Sequence, residues 1–286
     1  MSTKKQNLYL VPTDFSEVAE CAVNHAAICA QKTGCEVKLL HVVNKDTEKK
    51  LGLDFESVES KLKAYAAKIT DEYGVPVSFR AEEGSIFDTI GEIAAEEGAQ
   101  LLFMGTHGVV GLQQKLLGAF ALKVISTSPV PVIVVQRKNI HAKGYDSIVY
   151  PIDSTKEIKQ KLNDTLAVAK LFGAEVHLFE YPETDEFLIN ALKRNTVYAK
   201  KFLQEAGVKT VVAAADAKEG DYYKQMIRYA SKVNADLLII MSEKSKGLVE
   251  YIIGPDEERI INNDAQIAVM CINPREVTTI TDAIVY

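Results

Sequence analysis

The sequence predicts an α/β protein that contains two copies of one domain, and three observations carry this prediction. Its 286 residues are enough for two domains of ordinary size. Short apolar runs alternate with segments of helical periodicity, which is the pattern of a parallel sheet with helices on both faces. The first half of the chain also matches the second half at nearly constant spacing.

The repeat is clearest in two pairs of segments. Val11–Ser16 recurs as Tyr150–Thr155, 139 residues later, and Ala99–Met104 recurs as Ala235–Ile240, 136 residues later. Matches of this kind continue along the chain, and their period is too long for a solenoid. Each copy should therefore be a complete fold with its own core.

The repeat divides the chain into one domain at residues 1–139 and a second at residues 145–286. The polar segment Lys138–Gly144 is the expected linker. Each domain is predicted to be Rossmann-like: a five-stranded parallel sheet in the order 3-2-1-4-5, with helices on both faces.

The elements of the first copy follow from the apolar pattern in chain order. Five mostly continuous runs predict strands that are buried on both faces: Leu8–Val11, Val37–Val43, Val75–Phe79, Leu101–Met104 and Val130–Val135. Helical periodicity lies between them at Ser16–Lys32, about Phe55–Glu72, Ile86–Glu97 and about Ala119–Ser126. Ser16 is the expected N-cap of the first helix, and Gly34 and Gly74 are the expected ends of the first two helices. The second copy should have strands near Ser147–Tyr150, Val176–Phe179, Val208–Ala213, Leu237–Met241 and Ile267–Ile272.

Composition excludes several classes of function. There are 33 basic and 39 acidic residues, a net charge of −6, and neither half is basic, so we expect neither a nucleic-acid nor a membrane partner. We find no signal-peptide core and no apolar stretch of membrane-spanning length, and we therefore expect a cytoplasmic protein. The four cysteines contain no CxxC pair and are expected to be buried, reduced thiols.

The candidate binding site lies where strand order reverses, between the first and fourth strands. Strand one ends at Pro12-Thr13-Asp14, and strand four runs into the glycine-rich segment Gly105–Gly111. Glycines let backbone N–H groups wrap an anion, and Gly118 then opens a helix whose N-terminus favours phosphate. Asp14 could accept hydrogen bonds from ribose hydroxyls. The alternative is that the glycines only turn the chain.

Two other nucleotide-binding motifs are absent from the sequence. There is no GxGxxG after strand one, which argues against a dinucleotide-binding fingerprint, and no GxxxxGK[ST], which argues against a P-loop.

These residues resemble a known family. Gly105-x2-Gly108-x9-Gly118 is similar to the ATP-binding pattern of universal stress proteins, G-x2-G-x9-G followed by Ser or Thr. Val11–Ser16 resembles the strand-one signature of that family. His41-Val42 ends strand two as in the family, and Pro129–Val132 precedes strand five in the same style. The resemblance covers both copies and implies a tandem universal stress protein.

The resemblance implies that the first copy binds ATP or another adenine nucleotide, with Mg²⁺ as a candidate companion and Asp14 as a candidate to help hold it. Pro12, Thr13 and Asp14 would line the ribose side, and Val42 would contact adenine. The residues that lie along the phosphates would be Met104, Gly105, His107, Gly108, Gly118, Ala119 and Phe120. Ala119 departs from the pattern because it lacks the Ser or Thr hydroxyl.

The second copy has lost most of this motif. Met241 stands for Gly105, Lys244 for Gly108 and Pro255 for Ala119, and only Gly254 remains of the three glycines. Pro255 also lacks an N–H that a phosphate would use. Asp153, the counterpart of Asp14, is expected to cap a helix start. We expect the second copy to be a structural or regulatory partner.

Three functions remain open from the sequence. The leading one is a stress-response protein that binds adenine nucleotide in its first domain as a sensing module. The others are a nucleotide-free interaction or dimerisation protein and a weak ATPase. No catalytic residue is assigned, because no triad partner accompanies His107. The family resemblance further implies that the two domains associate through their last strands as an intramolecular pseudo-dimer, and a further homodimer is left open.

His25 is expected to be a packing residue, and the histidines form no metal-ligand spacing. Tyr222, Tyr223 and Tyr229 are expected in a core or an interface. The β-prone tail Thr278–Tyr286 could pair with an edge strand.

Overall fold

A computed structural model describes residues 7–45, 49, 51–106, 119–155, 158–244 and 251–274. In the first half the strands are β1 (Leu8–Pro12), β2 (Glu36–Val43), β3 (Val77–Glu83), β4 (Leu101–Gly105) and β5 (Val132–Val135). The helices between them are α1 (Glu17–Thr33), α2 (Phe55–Tyr73), α3 (Ile86–Glu96) and α4 (Ala119–Thr127). The tail Thr278–Tyr286 lies outside the described residues.

The second half repeats this order. Its main strands are β6 (Ser147–Ile152), β7 (Glu175–Glu180), β8 (Thr210–Ala214), β9 (Leu237–Met241) and β12 (Ala268–Ile272). Two short strands, β10 (Glu243–Lys244) and β11 (Tyr251–Ile252), form an antiparallel pair of their own. The helices are α5 (Ile158–Phe172), α6 (Glu186–Glu205), α7 (Tyr222–Lys232) and α8 (Pro255–Ile261).

The ten main strands form a single sheet in the order β3-β2-β1-β4-β5-β12-β9-β6-β7-β8. Within each half the neighbours are parallel and follow the predicted order 3-2-1-4-5. The two halves meet at β5 and β12, which pair antiparallel with Val132 opposite Cys271 and Val134 opposite Val269. The predicted doubly wound α/β fold is therefore confirmed.

The sheet is covered on both faces. One apolar cluster joins it to α1, α2, α5 and α6, and the other joins it to α3, α4, α7 and α8. Tyr9, Leu39 and Phe103 are among its fully buried side chains. Burial on both faces explains why most strands are continuous apolar runs.

The third strand of each half begins two residues later than predicted, and that of the first half also ends later. The apolar run placed it at Val75–Phe79, but β3 spans Val77–Glu83. It is an edge strand, and at its middle Arg80 pairs with Glu82, Glu96 and Glu97. Charged side chains are normal at an exposed sheet edge, so the apolar run ends before the strand does.

The segment that joins the halves is packed against them. No helix or strand lies between Val135 and Ser147. Tyr145 is fully buried beside Phe172, and Gly144 adopts φ +88° with no space for a Cβ, which would clash with the Phe172 ring. The predicted linker therefore needs its glycine for conformation and for packing.

Candidate functional site

The candidate site is built on the carboxyl ends of β1 and β4, which are neighbours in the sheet. Tyr9 pairs with Leu101 and Leu10 with Leu102, so that the chain leaves the two strands at the same edge. Because β2 continues the sheet on one side of β1 and β5 on the other side of β4, strand order reverses here. This is the position at which doubly wound sheets bind ligands.

The turn from β1 into α1 is fixed by its own polar side chains. The Thr13 Oγ1 accepts a hydrogen bond from the N–H of Phe15 at 3.1 Å, and Asp14 Oδ1 accepts one from the N–H of Ser16 at 3.1 Å. The Ser16 Oγ then accepts from the N–H of Ala19, which confirms the predicted N-cap. These bonds hold the half-exposed Asp14 at the sheet edge.

The Thr13 carbonyl is held by a histidine whose contribution the sequence did not reveal. His41 Nδ1 donates to the Thr13 oxygen at 2.7 Å, and the imidazole stacks on Phe15 with ring centroids 5.1 Å apart. The Lys61 ammonium lies 4.1 Å from the Phe15 ring centroid. Burial lowers the pKa of His41, so a neutral ring orients the strand-one turn at pH 7. Only the pairing of β1 with β2 could have indicated this contact.

Val42 and Met104 form the apolar part of this edge. They are 7% and 8% exposed and belong to the same apolar cluster, with Ile86 packed against it. Val42 was predicted to contact adenine, and the structure places it beside β1 on strand β2.

Gly105 has a reason that the sequence did not give. A Cβ at this position would lie 2.7 Å from Val18 Cγ1 and 3.1 and 3.2 Å from the Val18 backbone. The φ of Gly105 lies outside the left-handed region, so a turn conformation does not explain why glycine is needed here. The end of β4 is glycine because it packs against the first turn of α1.

The rest of the predicted phosphate loop lies mostly outside the described residues. The chain is described to Thr106, which is buried and whose N–H donates to the Val135 carbonyl at 2.9 Å. His107, Gly108 and Gly118 fall outside the description, and Ala119 and Phe120 are described only as the first residues of α4.

The corresponding edge of the second half has aromatic side chains. Tyr181, at the repeat position of Val42, lies with its ring centroid 4.8 Å from that of Tyr222, at the repeat position of Ile86. Tyr222 is 8% exposed, and its hydroxyl donates to the Phe179 carbonyl at 3.1 Å. The His177 ring is hydrogen-bonded to the hydroxyl of Tyr229 at 2.9 Å. Of the two places predicted for Tyr222, Tyr223 and Tyr229, a core or an interface, Tyr222 lies in the core and the other two pack against it.

A lysine lies beneath the end of β6. Lys161 stands at the repeat position of Ala22, its Nζ donates to the Pro151 carbonyl at 2.7 Å, and it lies 4.3 Å from the Tyr150 ring centroid. Burial lowers its pKa to about 8. In the first half the same position contains only a fully buried methyl group.

Asp153 forms a bond like that of its counterpart Asp14. Its Oδ1 accepts a hydrogen bond from the N–H of Thr155 at 2.8 Å, and α5 is described from Ile158 onward. Residues 156–157 lie outside the described residues, so the predicted cap stays a prediction. The Asn195 amide donates to the carbonyls of Asp153 and Thr155, both at 2.8 Å. Asp153 therefore stabilises a turn that Asn195 holds in place.

The helix that follows the second motif has an acidic first turn. Helix α8 begins at Pro255 and has Asp256, Glu257 and Glu258 next to it. These carboxylates stabilise the N-terminus of the helix, and their negative charge opposes the binding of an anion there.

Other classes of site were tested on the described residues. Within the ranges given above, no helix is long and apolar enough to cross a membrane. In the same part of the chain, no group of three His, Cys, Asp or Glu side chains is arranged to hold a metal ion. All four cysteines are buried free thiols, as expected.

The fold and the first-half edge define the class: a duplicated, doubly wound α/β protein with its candidate ligand edge at the strand-order reversal. The model of the universal stress protein family matches residues 9–136. Universal stress protein MJ0577 of Methanocaldococcus jannaschii is 34% identical over 156 residues, which cover 46% of this chain and 94% of that protein. Universal stress protein MJ0531 of the same organism is also 34% identical, over 46% of this chain and 85% of its own length. The chain belongs to the universal stress protein family.

A solved structure extends the likeness of the fold to both halves. The crystal structure of a universal stress protein from Archaeoglobus fulgidus DSM 4304 covers 94% of this chain and 99% of its own, with a TM-score of 0.75. Its sequence identity is 20%, so this likeness concerns the fold.

Proposed function

We propose that this stress protein binds ATP or a related adenine nucleotide in its first half and acts as a nucleotide-sensing module. The observation that carries the proposal is the difference between the two carboxyl edges. The first has Val42 where the second has Tyr181 packed on Tyr222. It also has glycine at position 105, where the second has Met241.

The ribose side of the proposed site is formed by the end of β1. Asp14 is half-exposed and is oriented by its bond from the N–H of Ser16. A carboxylate has about four lone-pair positions, so it can accept hydrogen bonds from ribose hydroxyls in addition to this one. The adenine ring would contact the exposed atoms of Val42 and Met104.

The phosphate side is proposed from the motif together with helix α4. Gly105 lets β4 approach α1 closely, and α4 begins at Ala119 after the glycine-rich segment. The N-terminal amides and dipole of this nine-residue helix favour phosphate. Gly108 and Gly118 would give the backbone close access to the phosphate oxygens.

We propose binding rather than hydrolysis as the activity. The imidazole of His41 is buried and donates to the Thr13 carbonyl, which does not suit a general base. The two halves are proposed to act as an intramolecular pseudo-dimer, divided near residues 139–145, and the β5–β12 pairing supports this.

Calorimetric titration of ATP into the full chain tests the proposal. Gly108→Lys introduces the residue of the second copy and should abolish binding, because its side chain would occupy the path of the phosphates. The reciprocal variant Lys244→Gly is the matched control and should bind like the wild type. Absence of heat from the wild type at millimolar ATP would overturn the proposal, as would equal binding by Gly108→Lys.

A second titration tests the departure at Ala119. Ala119→Ser restores the hydroxyl of the family pattern and should tighten ATP binding about three- to tenfold, the value of one hydrogen bond. Ala121→Ser, at a buried position on the same helix, is the comparison. An unchanged affinity in Ala119→Ser would place the phosphates away from this residue.

A further inference from the structure

The junction between the halves contains an amide that crosses from the second half into the first. Asn273 follows β12, and its Nδ2 donates to the carbonyls of Ile125 at 2.7 Å and Ser128 at 3.0 Å. Ile125 belongs to the last turn of α4, and Ser128 follows that helix. The carbonyls at a helix C-terminus have no partner within the helix, so that Asn273 supplies one from the other half.

The orientation of this amide is set by Ser242. The Ser242 Oγ donates to Asn273 Oδ1 at 2.6 Å, and its N–H donates to the Ile272 carbonyl at 3.0 Å. Ser242 and Asn273 are 3% and 9% exposed. Both hydrogens and the oxygen of the amide are thus engaged, and its two sides cannot exchange without losing bonds. Ser242 directly follows β9, where the degenerate motif of the second half begins.

The reciprocal contact has a different consequence. Gln136 follows β5 and donates to the carbonyls of Ile261 at 3.2 Å and Asn263 at 2.8 Å, at the C-terminal end of α8. Each half therefore holds a helix of the other half with an amide that follows its last strand. The helix held by Asn273 carries the proposed phosphate site, whereas the helix held by Gln136 begins with proline and three carboxylates.

We propose that Asn273 is a positioning residue for the nucleotide site of the first half, with Ser242 setting its orientation. This inference rests on the proposed function. Helix α4 has nine residues and spans about 13 Å, so displacement of its C-terminal end also displaces the amides at its N-terminal end. The second half, which we propose binds no nucleotide, thereby sets the affinity of the first.

Titration of ATP into three full-length variants tests this role. Asn273→Ala should raise the ATP dissociation constant about five- to tenfold, at the lower end of ordinary coupling between sites. Ser242→Ala keeps both donors to α4 but releases the amide oxygen, and should raise it about twofold. Gln136→Ala removes the two bonds of the reciprocal contact, matching the two that Asn273→Ala removes across the junction, and should leave ATP affinity unchanged.

Hydrogen exchange without ATP separates positioning from general loosening of the junction. Asn273→Ala should increase exchange of the α4 amides, and Gln136→Ala that of the α8 amides. If Asn273→Ala binds ATP like the wild type, or if Gln136→Ala weakens binding equally, the inference is wrong while the proposed function stands. If the wild type shows no ATP heat, the proposed function fails, and the nucleotide role of Asn273 with it.

Discussion

The two carboxyl edges of this protein have the same strands in the same order and differ in the residues that fill them. In the first half, these positions are held by the small residues Ala22, Val42 and Gly105. In the second, Lys161, Tyr181 and Met241 occupy the repeat positions. The fold tolerates both sets because the core lies below the edge, where both halves keep continuous apolar strands. A domain can thus change its ligand edge without changing its topology.

The largest expected effect is on the pH dependence of stability, and it comes from a buried histidine in α1 that α5 lacks. His25, 3% exposed, donates from Nε2 to the Lys138 carbonyl and accepts at Nδ1 from the Tyr145 hydroxyl, whereas the repeat position in α5 is Asp164. Burial lowers the pKa of His25 to about 4. The unfolded chain, with an ordinary pKa near 6.5, therefore takes up a proton first as the pH falls.

We expect the free energy of unfolding to fall between about pH 6.5 and pH 4, with His25 contributing on the order of 3 kcal/mol. Its contribution should be constant above that range. Urea denaturation at a series of pH values measures this, and His25→Gln should show a shallower decline. His41 and His177 also have lowered pKa values and leave a residual slope. If the free energy of unfolding fell equally steeply with pH in the wild type and in His25→Gln, protonation of His25 would not destabilise the folded protein.

The next effect concerns the glycine that distinguishes the two edges. Gly105→Ala should destabilise the protein by about 1–3 kcal/mol, because the new Cβ must displace Val18 and its backbone. It should also weaken ATP binding through the shift of β4. Gly91→Ala, whose Cβ would lie 3.9 Å from its nearest neighbour, is the control and should be neutral or slightly stabilising. Chemical denaturation and calorimetry compare the two, and equal stabilities would refute the packing role of Gly105.

The smallest expected effect is that of restoring glycines to the second half, which should not create an ATP site there. Met241→Gly with Lys244→Gly restores two motif glycines to the second half, in a Gly108→Lys background that removes the first site. We expect no ATP binding, because the Tyr181–Tyr222 pair still stands at the positions of Val42 and Ile86 and the N-terminus of α8 remains acidic. Titration with millimolar ATP checks this. Heat of binding would show that the missing glycines alone explain why the second half binds no ATP.

The sequence predicted much of this architecture because its signals are local or repeated. Most strand positions followed from apolar runs, the Ser16 cap from its hydroxyl, and the helix ends at Gly34 and Gly74 from glycine conformation; both glycines adopt positive φ. The strand order followed from the doubly wound fold class. The bounds of β3 were missed because edge strands accept charge.

The contacts between distant residues were not predictable in the same way. Asn273 bonds Ile125 across 148 positions, and His41 bonds Thr13 across 28. Neither partner carries a local pattern that indicates the other. The packing reason for Gly105 likewise depends on where α1 lies, which no spacing in the sequence gives.

The antiparallel pairing of β5 with β12 has a consequence for how the halves could diverge. Because both strands belong to one chain, the effective concentration of each for the other is set by the short linker and does not fall on dilution. Two separate identical subunits would change together with every mutation. A covalently joined pair lets one half accumulate tyrosines and carboxylates while the other keeps its glycine, without mixed assemblies.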